Sequence, residues 1–394
     1  MRSRTAAFQV LFVVLAILFA AGATQSEPGR VHSEQKISDT EGNFTAILQI
    51  EDEFGGSTVS LGDLDGAGPS VVAVAVGATG DDDGGGNRGA VYILFLDASG
   101  NVISYQKISD TEGGFTGTLE NFEDFGTSVA YLGDLDGAGP SVAALAIGAA
   151  ADDDGGANRG AVYVLFLNSS GSVLSYQKIS DTEGSFTGTL DNADEFGGAL
   201  ASLGDLDGPG PSAAALAVGV TGDDDGGLRR GAVYVLLLDS SGQVLSHQKI
   251  SSTESNFTGT IDDIDDFGSS VAHMGDLDGA GPSVATLAVG AVGDDDGGPD
   301  RGAVWLLYLD STGQVLSHKK ISQTQGNFTQ QLDNLDEFGN SLANLGDLDG
   351  SGSSPVAMAV GTIGDDDGGS GHGAVYVLFL DDSGNVLSHQ KISS

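Results

Sequence analysis

The chain has 394 residues, of which 56 are acidic and 15 are basic, so its formal net charge is −41. Nucleic acids and anionic membranes are polyanions, so this charge excludes both as simple electrostatic partners and favours cations or cationic partners. The chain contains no cysteine, which excludes disulfides, thiolate metal sites and cysteine nucleophiles. The hydrophobic fraction of 40% is typical of a folded protein rather than of a disordered acidic tail.

The first feature in chain order is an N-terminal segment with the pattern of an export signal. Arg2 and Arg4 precede an apolar run over residues 8–20, and small residues that fit a cleavage site follow at 21–23. We therefore expect residues 1–23 to be a signal peptide and the protein to be secreted or held at the cell surface. The alternative is an uncleaved anchor helix, for which the run is short. No later segment is long and apolar enough to predict membrane insertion after cleavage.

The rest of the chain is an internal repeat with a step of 71 residues, as from Phe54 to Phe125. Two motifs keep this step through all five units without insertion or deletion, namely the Phe-Gly pair and a triplet of aspartates. The Phe-Gly pairs begin at Phe54, Phe125, Phe196, Phe267 and Phe338, and the triplets begin at Asp81, Asp152, Asp223, Asp294 and Asp365.

Each unit is predicted to contain four β-strands, and helical periodicity is absent. In the first unit the strands are expected at 57–61, 71–77, 89–96 and 102–109, separated by the turn sequences GDLDGAGP, GDDDGGGN and DASGN. The third strand is apolar on both faces, which indicates that it is covered on both sides. The second strand is rich in Ala, Val and Gly, whereas larger apolar residues follow in the third and fourth.

Small side chains followed by large ones suit sheets that converge on an axis, where space narrows. The sequence therefore predicts an all-β fold, a β-propeller of five four-stranded antiparallel blades, in which neighbouring blades must stack because one blade cannot bury its own faces. The alternative is an open stack of β units. The propeller is expected over residues 31–394 after a linker over 24–30, with blades at about 55–109, 126–180, 197–251, 268–322 and 339–393.

The two ends of the repeat array compete for one position. Val31–Ser38 has the sequence of a fourth strand but no blade before it, whereas Val386–Ser393 already supplies the fourth strand of the last blade. Either Val31–Ser38 adds to the last blade as a fifth strand, which would protect its edge, or one of the two segments stays loose.

The repeat resembles the FG-GAP repeats of integrin alpha-subunit propellers and, more closely, those of their bacterial relatives. The motif pieces that carry this resemblance are Phe125–Ala130, Gly133–Gly137, Ala146–Ala149 and Arg159–Phe166, and each has equivalents in the other units. The resemblance implies a propeller that often binds calcium in the hairpin loop between its first two strands, and an extracellular role in adhesion or recognition. Integrin propellers have seven blades, whereas this sequence contains five, and function transfers poorly from fold alone.

The GDLDG loop matches the family's calcium loop, Asp-x-Asp-x-Asp-Gly-x-x-Asp, only in part. Asp63 and Asp65 match the first two ligands, but Ala67 and Val71 replace the last two carboxylates. Calcium takes six to eight oxygen ligands, so this is at best a weak site of the millimolar kind, and a hairpin turn is the preferred interpretation. The ten candidate calcium ligands are Asp63, Asp65, Asp134, Asp136, Asp205, Asp207, Asp276, Asp278, Asp347 and Asp349.

The aspartate triplets are the second candidate site, on the opposite face of the propeller from the GDLDG loops. Together with the long inter-blade linkers they would form an acidic face for a cation or a protein or glycan partner. The preferred alternative is a solvated loop paired locally with an arginine such as Arg88. The fifteen candidate partner-face residues are Asp81, Asp82, Asp83, Asp152, Asp153, Asp154, Asp223, Asp224, Asp225, Asp294, Asp295, Asp296, Asp365, Asp366 and Asp367.

Function follows less directly than fold. Paired carboxylates can serve as a catalytic acid and base, but every aspartate motif here recurs in each unit and none stands apart, so we expect no enzyme. The preferred function is an exported binding or adhesion propeller that contacts a protein or glycan partner through one face and depends weakly on calcium. The alternatives are a structural surface scaffold without a specific ligand and an accessory module of an extracellular enzyme. Oligomeric state is left open.

Overall fold

A computed structural model describes residues 34–66, 68–137, 139–279, 281–348 and 356–393. The expected signal peptide over 1–23, the linker over 24–30 and the first part of the expected extra strand, residues 31–33, lie outside these ranges. Within them, no helix is long and apolar enough to cross a membrane.

The described residues form twenty β-strands, four in each repeat. The first two blades contain β1 (Phe54–Gly62), β2 (Val72–Ala78), β3 (Ala90–Leu96), β4 (Val102–Ile108), β5 (Phe125–Gly133), β6 (Ala143–Ala149), β7 (Ala161–Leu167) and β8 (Val173–Ile179). The other three contain β9 (Ala199–Gly204), β10 (Ala214–Val220), β11 (Ala232–Leu238), β12 (Val244–Ile250), β13 (Phe267–His273), β14 (Ala285–Ala291), β15 (Ala303–Leu309), β16 (Val315–Ile321), β17 (Ser341–Gly346), β18 (Val356–Thr362), β19 (Ala374–Leu380) and β20 (Val386–Ile392).

The strands pair in sequence order within each repeat and form five four-stranded antiparallel sheets. This confirms the predicted β-propeller of five blades. In blade 1 the central pair keeps an unbroken register from Val72 opposite Leu96 to Ala78 opposite Ala90. The inner strand β1 pairs less regularly with β2, with register shifts after Phe54 and after Ser60. β-Bulges of this kind bend and twist a strand, which suits the strand nearest the axis.

The hydrophobic core lies between consecutive blades. All seven residues of β7 are buried, as are all seven of β6, so both faces of the sheet are covered. One cluster joins Val164 and Phe166 of blade 2 to Leu216 and Leu236 of blade 3. The doubly apolar third strand predicted from the sequence is therefore explained by stacking on both sides, which is how a propeller blade buries its apolar surface.

Neighbouring blades approach most closely where glycine backbones meet. In blade 2, a Cβ built at Gly148 would overlap the carbonyl oxygen of Gly197 at the start of blade 3. The hydroxyl of Ser128 donates a hydrogen bond to the same Gly197 carbonyl at 2.6 Å. Gly197 itself has a φ of +99°, a conformation that favours glycine over residues with a Cβ. The repeated Phe-Gly pair and the glycine near the end of each second strand are thus the two sides of one docking contact.

The first and last blades lack this contact at one side each. Inner strands pack in sequence order, β1 on β5, β5 on β9, β9 on β13 and β13 on β17, and β17 makes no comparable contact with β1 among the described residues. The exposure of Ser341 and Ala343 in β17 contrasts with the burial of their equivalents in blade 2, Ser128 and Ala130. A Cβ built at Gly55 would have no neighbour within 4 Å, whereas at Gly126 it would lie 2.7 Å from the Ala90 carbonyl oxygen. Among the described residues, the inner-strand contact is therefore missing between the last blade and the first. The face of blade 1 that would receive a preceding blade packs instead against Phe44 and Ala46.

The competition between the two terminal segments is resolved in favour of the C-terminal one. The outer strand of the last blade is β20, which pairs with β19 along its length. Residues 34–37 form no strand, and Ser38 makes only a local bridge to Glu41, so the fifth strand expected over 31–38 is not present in its described part. Gln35 instead lies near Gly100 of blade 1, just as Gln106 of blade 1 lies near Gly171 of blade 2. The segment therefore occupies the place of an outer strand that would precede blade 1.

We predict that Gly148→Ala destabilises the protein strongly, whereas Gly361→Ala does not. The new methyl group at position 148 would collide with the Gly197 backbone and force blades 2 and 3 apart, which overpacking data place at about 3 kcal/mol. At position 361 in the last blade the added methyl group would meet only the movable hydroxyl of Ser341, because no blade docks there.

Urea unfolding curves of the two variants and the parent would measure this difference. Equal losses of stability would contradict the assignment of Gly148 to an inter-blade contact and of Gly361 to an uncovered surface.

Candidate functional site

One face of the propeller carries the β2–β3 loop (residues 79–89), the linker between blades (residues 109–124) and their equivalents, and we name it the linker face. Arg88 of the loop donates to Asp110 at 2.6 Å and to Asn121 at 3.1 Å, both in the linker. The backbone N–H of Phe122 donates to the Gly86 carbonyl at 3.0 Å. Loop and linker therefore form one surface, as expected from their position at the same ends of the strands. The GDLDG loops lie at the opposite strand ends, on what we name the GDLDG face.

The first aspartate of each triplet is buried and neutralised by a lysine of the outer strand. Asp81 is 2% exposed, and its Oδ2 lies 2.7 Å from Nζ of Lys107. The same ammonium lies 2.7 Å from Oδ2 of the third aspartate, Asp83. The register brings Lys107 opposite Tyr92, and Nζ lies 5.6 Å from the centre of that ring, within the range of a cation–π interaction. Each blade repeats this arrangement, with the lysines Lys107, Lys178, Lys249, Lys320 and Lys391.

These ion pairs shift the pKa values of Lys107 and Asp83. Burial acts to lower the pKa of Lys107, but the hydrogen bonds with Asp81 and Asp83 outweigh it and raise that pKa above its usual range. For Asp83, burial raises the pKa, and the stronger combined effect of Lys107 and Ser109 brings it below its ordinary value. A buried charge that lost its partner would be costly, so the lysine fixes the loop to the outer strand.

The middle aspartate of each triplet has a different environment. Asp82 is exposed, and its Oδ1 accepts the backbone N–H of Asn87 at 2.8 Å, which closes the loop. The equivalent hydrogen bonds of Asp153 and Asp224 are 2.8 and 2.7 Å long. Because these carboxylates make a backbone contact with one oxygen and face solvent, they are the most exposed charges of the triplet in the first four blades.

The structure corrects the expected pairing of the triplet with arginine. Arg88 pairs with Asp110 of the linker, and the cation of the triplet is Lys107. The lysine was not predicted to be this cation, although a signal was present, because a lysine occupies the same position before Ile-Ser in all five repeats. A cation that recurs with a recurring buried acid is the pattern of an ion pair.

A fourth carboxylate enters each buried cluster from the linker. In blade 3 this is Asp194, which is 3% exposed and accepts the backbone N–H of Asp191 at 2.8 Å. Burial raises its pKa to about 6, with a further contribution from the charge of Asp223. The same acceptor geometry occurs at Asp52, Asp265 and Asp336. Each of these aspartates therefore caps its own linker turn.

Blade 2 departs from this pattern, because the equivalent residue is Glu123. Its side chain is 5% exposed, and its Oε2 is buried without a hydrogen-bond partner. Burial, together with the charge of Asp152, raises the pKa of Glu123 to about 7. Glu123 lines a cleft of about 340 Å³ whose walls also include Glu120, Tyr176 and Lys178. The sequence analysis found no position that sets one blade apart, and this one was missed.

The GDLDG loops contain fewer ligands than a calcium site needs. Asp63 is exposed, whereas Asp65 accepts the hydroxyl of Ser70 at 2.8 Å, and the same pairing recurs between Asp136 and Ser141. Among the described residues no group of three or more His, Cys, Asp or Glu side chains is placed to hold a metal ion. Two carboxylates, one of them engaged by serine, supply only part of a calcium shell, so the loops do not fit the family's site. Asp349 lies outside the described residues.

Replacing Lys178 with methionine should destabilise the protein by about 3 kcal/mol, because Asp152 and Asp154 would keep buried or half-buried charge without a cation. The matched control is Lys319→Gln, since the other four repeats have glutamine at this position. The control should change stability by less than about 0.5 kcal/mol. Urea denaturation would measure both, and comparable losses would show that the Lys178 pairs are not specifically stabilising.

The linker acids predict that stability falls as the pH rises from about 4 to about 7. Folding raises the pKa of Glu123 to about 7 and that of Asp194 to about 6, so the native state binds more protons than the unfolded state across this window. The lowered pKa of Asp83 acts in the opposite direction, but its stabilisation is lost only at more acid pH.

Melting temperatures across this range would test the trend, which general charge repulsion also favours. Glu123→Gln separates the two effects. It should raise the melting temperature above pH 7 and leave it nearly unchanged at pH 4, where the glutamate is protonated in both states. A parallel shift at both pH values would contradict the assignment to Glu123.

Comparison with known proteins assigns no family. No family model and no curated protein matches the chain. Among solved structures, one match is the crystal structure of an ancestral GH74 enzyme, with 11% sequence identity and a TM-score of 0.23. The match covers 83% of this chain and 50% of that protein, so the chain spans about half of its length. Likeness at this level carries no argument, and the fold rests on the strand arrangement described above.

Proposed function

We propose that the chain is a non-enzymatic binding module that acts outside the cell and holds a cationic surface of a partner through its linker face. The observation that carries this proposal is that the three aspartates of each triplet differ in environment. The first and third aspartates are occupied by lysine, whereas the middle one faces solvent in every blade. The exposed set is Asp82, Asp153, Asp224, Asp295 and Asp366.

Electrostatics supports a cationic partner. The net charge of −41 creates a negative potential around the whole molecule, and an array of like charges on one face concentrates it. Such a potential speeds encounter with a basic surface and disfavours acidic ones, more than it adds to final affinity. An extracellular protein with a basic patch fits this chemistry better than a neutral glycan does.

The FG-GAP resemblance supports an adhesive role but does not carry it. The motif residues have structural functions in this chain, since Phe125 is fully buried and Gly126 and Gly148 lie at contacts between blades. A motif explained by blade docking indicates how the chain folds rather than what it binds. Secretion, expected from residues 1–23, belongs to the same proposal.

Two other functions, a structural scaffold and an enzyme accessory module, predict different behaviour. A structural scaffold would associate through the first and last blades and would not need the exposed aspartates. An enzyme accessory module would bind a catalytic protein and show no activity alone. The buried carboxylates near Lys107 and its equivalents are held in ion pairs, an arrangement that accounts for them without catalysis.

The proposal predicts that charge removal on the linker face weakens binding to a cationic surface. Asparagine at positions 82, 153, 224, 295 and 366 keeps the side-chain oxygen that closes each loop but removes five charges. We expect binding to poly-lysine, measured by calorimetry at low and physiological salt, to weaken by at least about tenfold, with a smaller salt dependence.

The matched control removes five charges from the GDLDG face instead, with asparagine at positions 63, 134, 205, 276 and 347. Equal weakening by both variants would show that net charge alone attracts poly-lysine, and the proposed face would be wrong. The control variant also addresses calcium, which we propose to bind weakly if at all. A rise in melting temperature with millimolar calcium that this variant abolishes would assign calcium to these loops, and no rise would remove calcium from the proposal.

A further inference from the structure

The cleft of blade 2 contains the one linker acid that differs among the five blades. Aspartate occupies this position in blades 1, 3, 4 and 5, and it accepts a backbone N–H of its own linker turn, as Asp194 does from Asp191. Glu123 is longer by one methylene group. It is 5% exposed, lines the cleft, and has a buried Oε2 without a hydrogen-bond partner. A buried acceptor without a donor is costly and calls for a ligand that supplies one.

The cleft is strongly acidic. Six carboxylates line it and a single cation, Lys178, faces them. Lys178 is already bound by Asp152 and Asp154, each at 2.7 Å. No ion pair joins the remaining acids of the cleft to a cation within the described part of the chain, so a second positive charge would be stabilised there. The acids outside the lysine pairs are Glu120, Glu123, Asp153 and Glu183.

The resident lysine indicates which cation the cleft suits. Nζ of Lys178 lies between two carboxylates and 5.4 Å from the centre of the Tyr163 ring, so the walls already bind an alkylammonium through charge and an aromatic face. Tyr176, which is 36% exposed, offers a second aromatic surface at the mouth of the cleft. A volume of about 340 Å³ admits a long side chain but not a folded segment.

We propose that the blade 2 cleft is the specificity site of the linker face and that it binds one basic side chain, lysine or arginine, of the partner. The ammonium or guanidinium group donates to the unpartnered Oε2 of Glu123 and faces Glu120, while the aliphatic stem lies against Tyr176. This inference rests on the proposed function and gives it a single anchoring point. Charge-assisted hydrogen bonds to a buried carboxylate are the stronger class, and buried basic anchors are common at the centres of protein interfaces.

A basic side chain fits the cleft better than a metal ion does. Hard divalent cations need six or more oxygen ligands converging within about 2.5 Å of one point. The described residues contain no cluster of three or more side chains arranged in that way. The aromatic walls also favour an organic cation, whose stem gains contact that a hydrated metal would not.

The test uses the full chain and three small probes, Nα-acetyl-lysine amide, Nα-acetyl-arginine amide and, as the neutral control, Nα-acetyl-glutamine amide. We expect the two cationic probes to bind, as measured by calorimetry and by saturation-transfer NMR, and the neutral probe not to bind. Glu123→Gln should weaken the cationic probes by about tenfold, since it removes the charge but not the shape of the acceptor. Calcium chloride serves as a fourth probe.

Two matched variants make the result specific. Asp194→Asn changes the equivalent acid of blade 3, whose carboxylate already accepts a backbone N–H, and should leave probe binding unchanged. Glu123→Asp restores the residue of the other blades and should weaken binding as Glu123→Gln does, because the shorter side chain withdraws the carboxylate from the cleft by one methylene group. Melting temperatures verify folding of each variant.

Equal binding of the cationic probes to the parent and to Glu123→Gln overturns the inference, as does binding of calcium in preference to them. Neither result affects the proposed function if poly-lysine binding still depends on Asp82 and its equivalents. The alternative result is that poly-lysine binding is independent of Asp82 and its equivalents while the probes still require Glu123. That result would support the cleft as a binding site and contradict the proposed function of the whole linker face. The two failures are therefore distinguishable.

Discussion

The structure depends on one contact, the docking of the first residues of each blade against a glycine of the blade before it. Gly148 has no room for a Cβ because the Gly197 carbonyl lies over it, and Ser128 donates to that same carbonyl. The contact explains why the repeat keeps the same step without insertions, since a longer or shorter unit would move the glycine out of position.

Blade docking also determines where charge can lie. The sheet faces are apolar and buried, so polar groups are confined to the strand ends, where loop and linker of successive blades meet. There the backbone turn brings three carboxylates together, and each blade supplies one lysine from its outer strand to neutralise two of them. The carboxylates that remain outside this pairing give the linker face its charge. A single three-residue motif thus contains both buried, paired carboxylates and an exposed one.

Much of the fold could be predicted because the repeat supplies five independent copies of each signal. Strand order, the doubly buried third strand and the hairpin loops all follow from alternation, turn residues and the constant step. The Lys107 pair was missed because the outer strand has no regular alternation of exposed and buried positions. The register opposite Tyr92 is what brings Lys107 to the loop. The missing inner-strand contact between the last blade and the first, within the described part of the chain, was not predicted either, because no pattern within one repeat encodes it.

The distinct environment of Glu123 could not be predicted from the sequence for a different reason. Glutamate and aspartate are equivalent in charge and pattern, and the extra methylene group of Glu123 leaves one carboxyl oxygen, Oε2, buried without a donor. In a protein of near-identical blades, the same charged site recurs in each blade. A partner attracted to these sites could bind in several registers with equal free energy. One departure from the repeat breaks that symmetry. A single buried acceptor in blade 2 would then fix the register of a partner that the remaining blades hold only by charge. One orientation is favoured only if one blade offers a contact that the other blades do not.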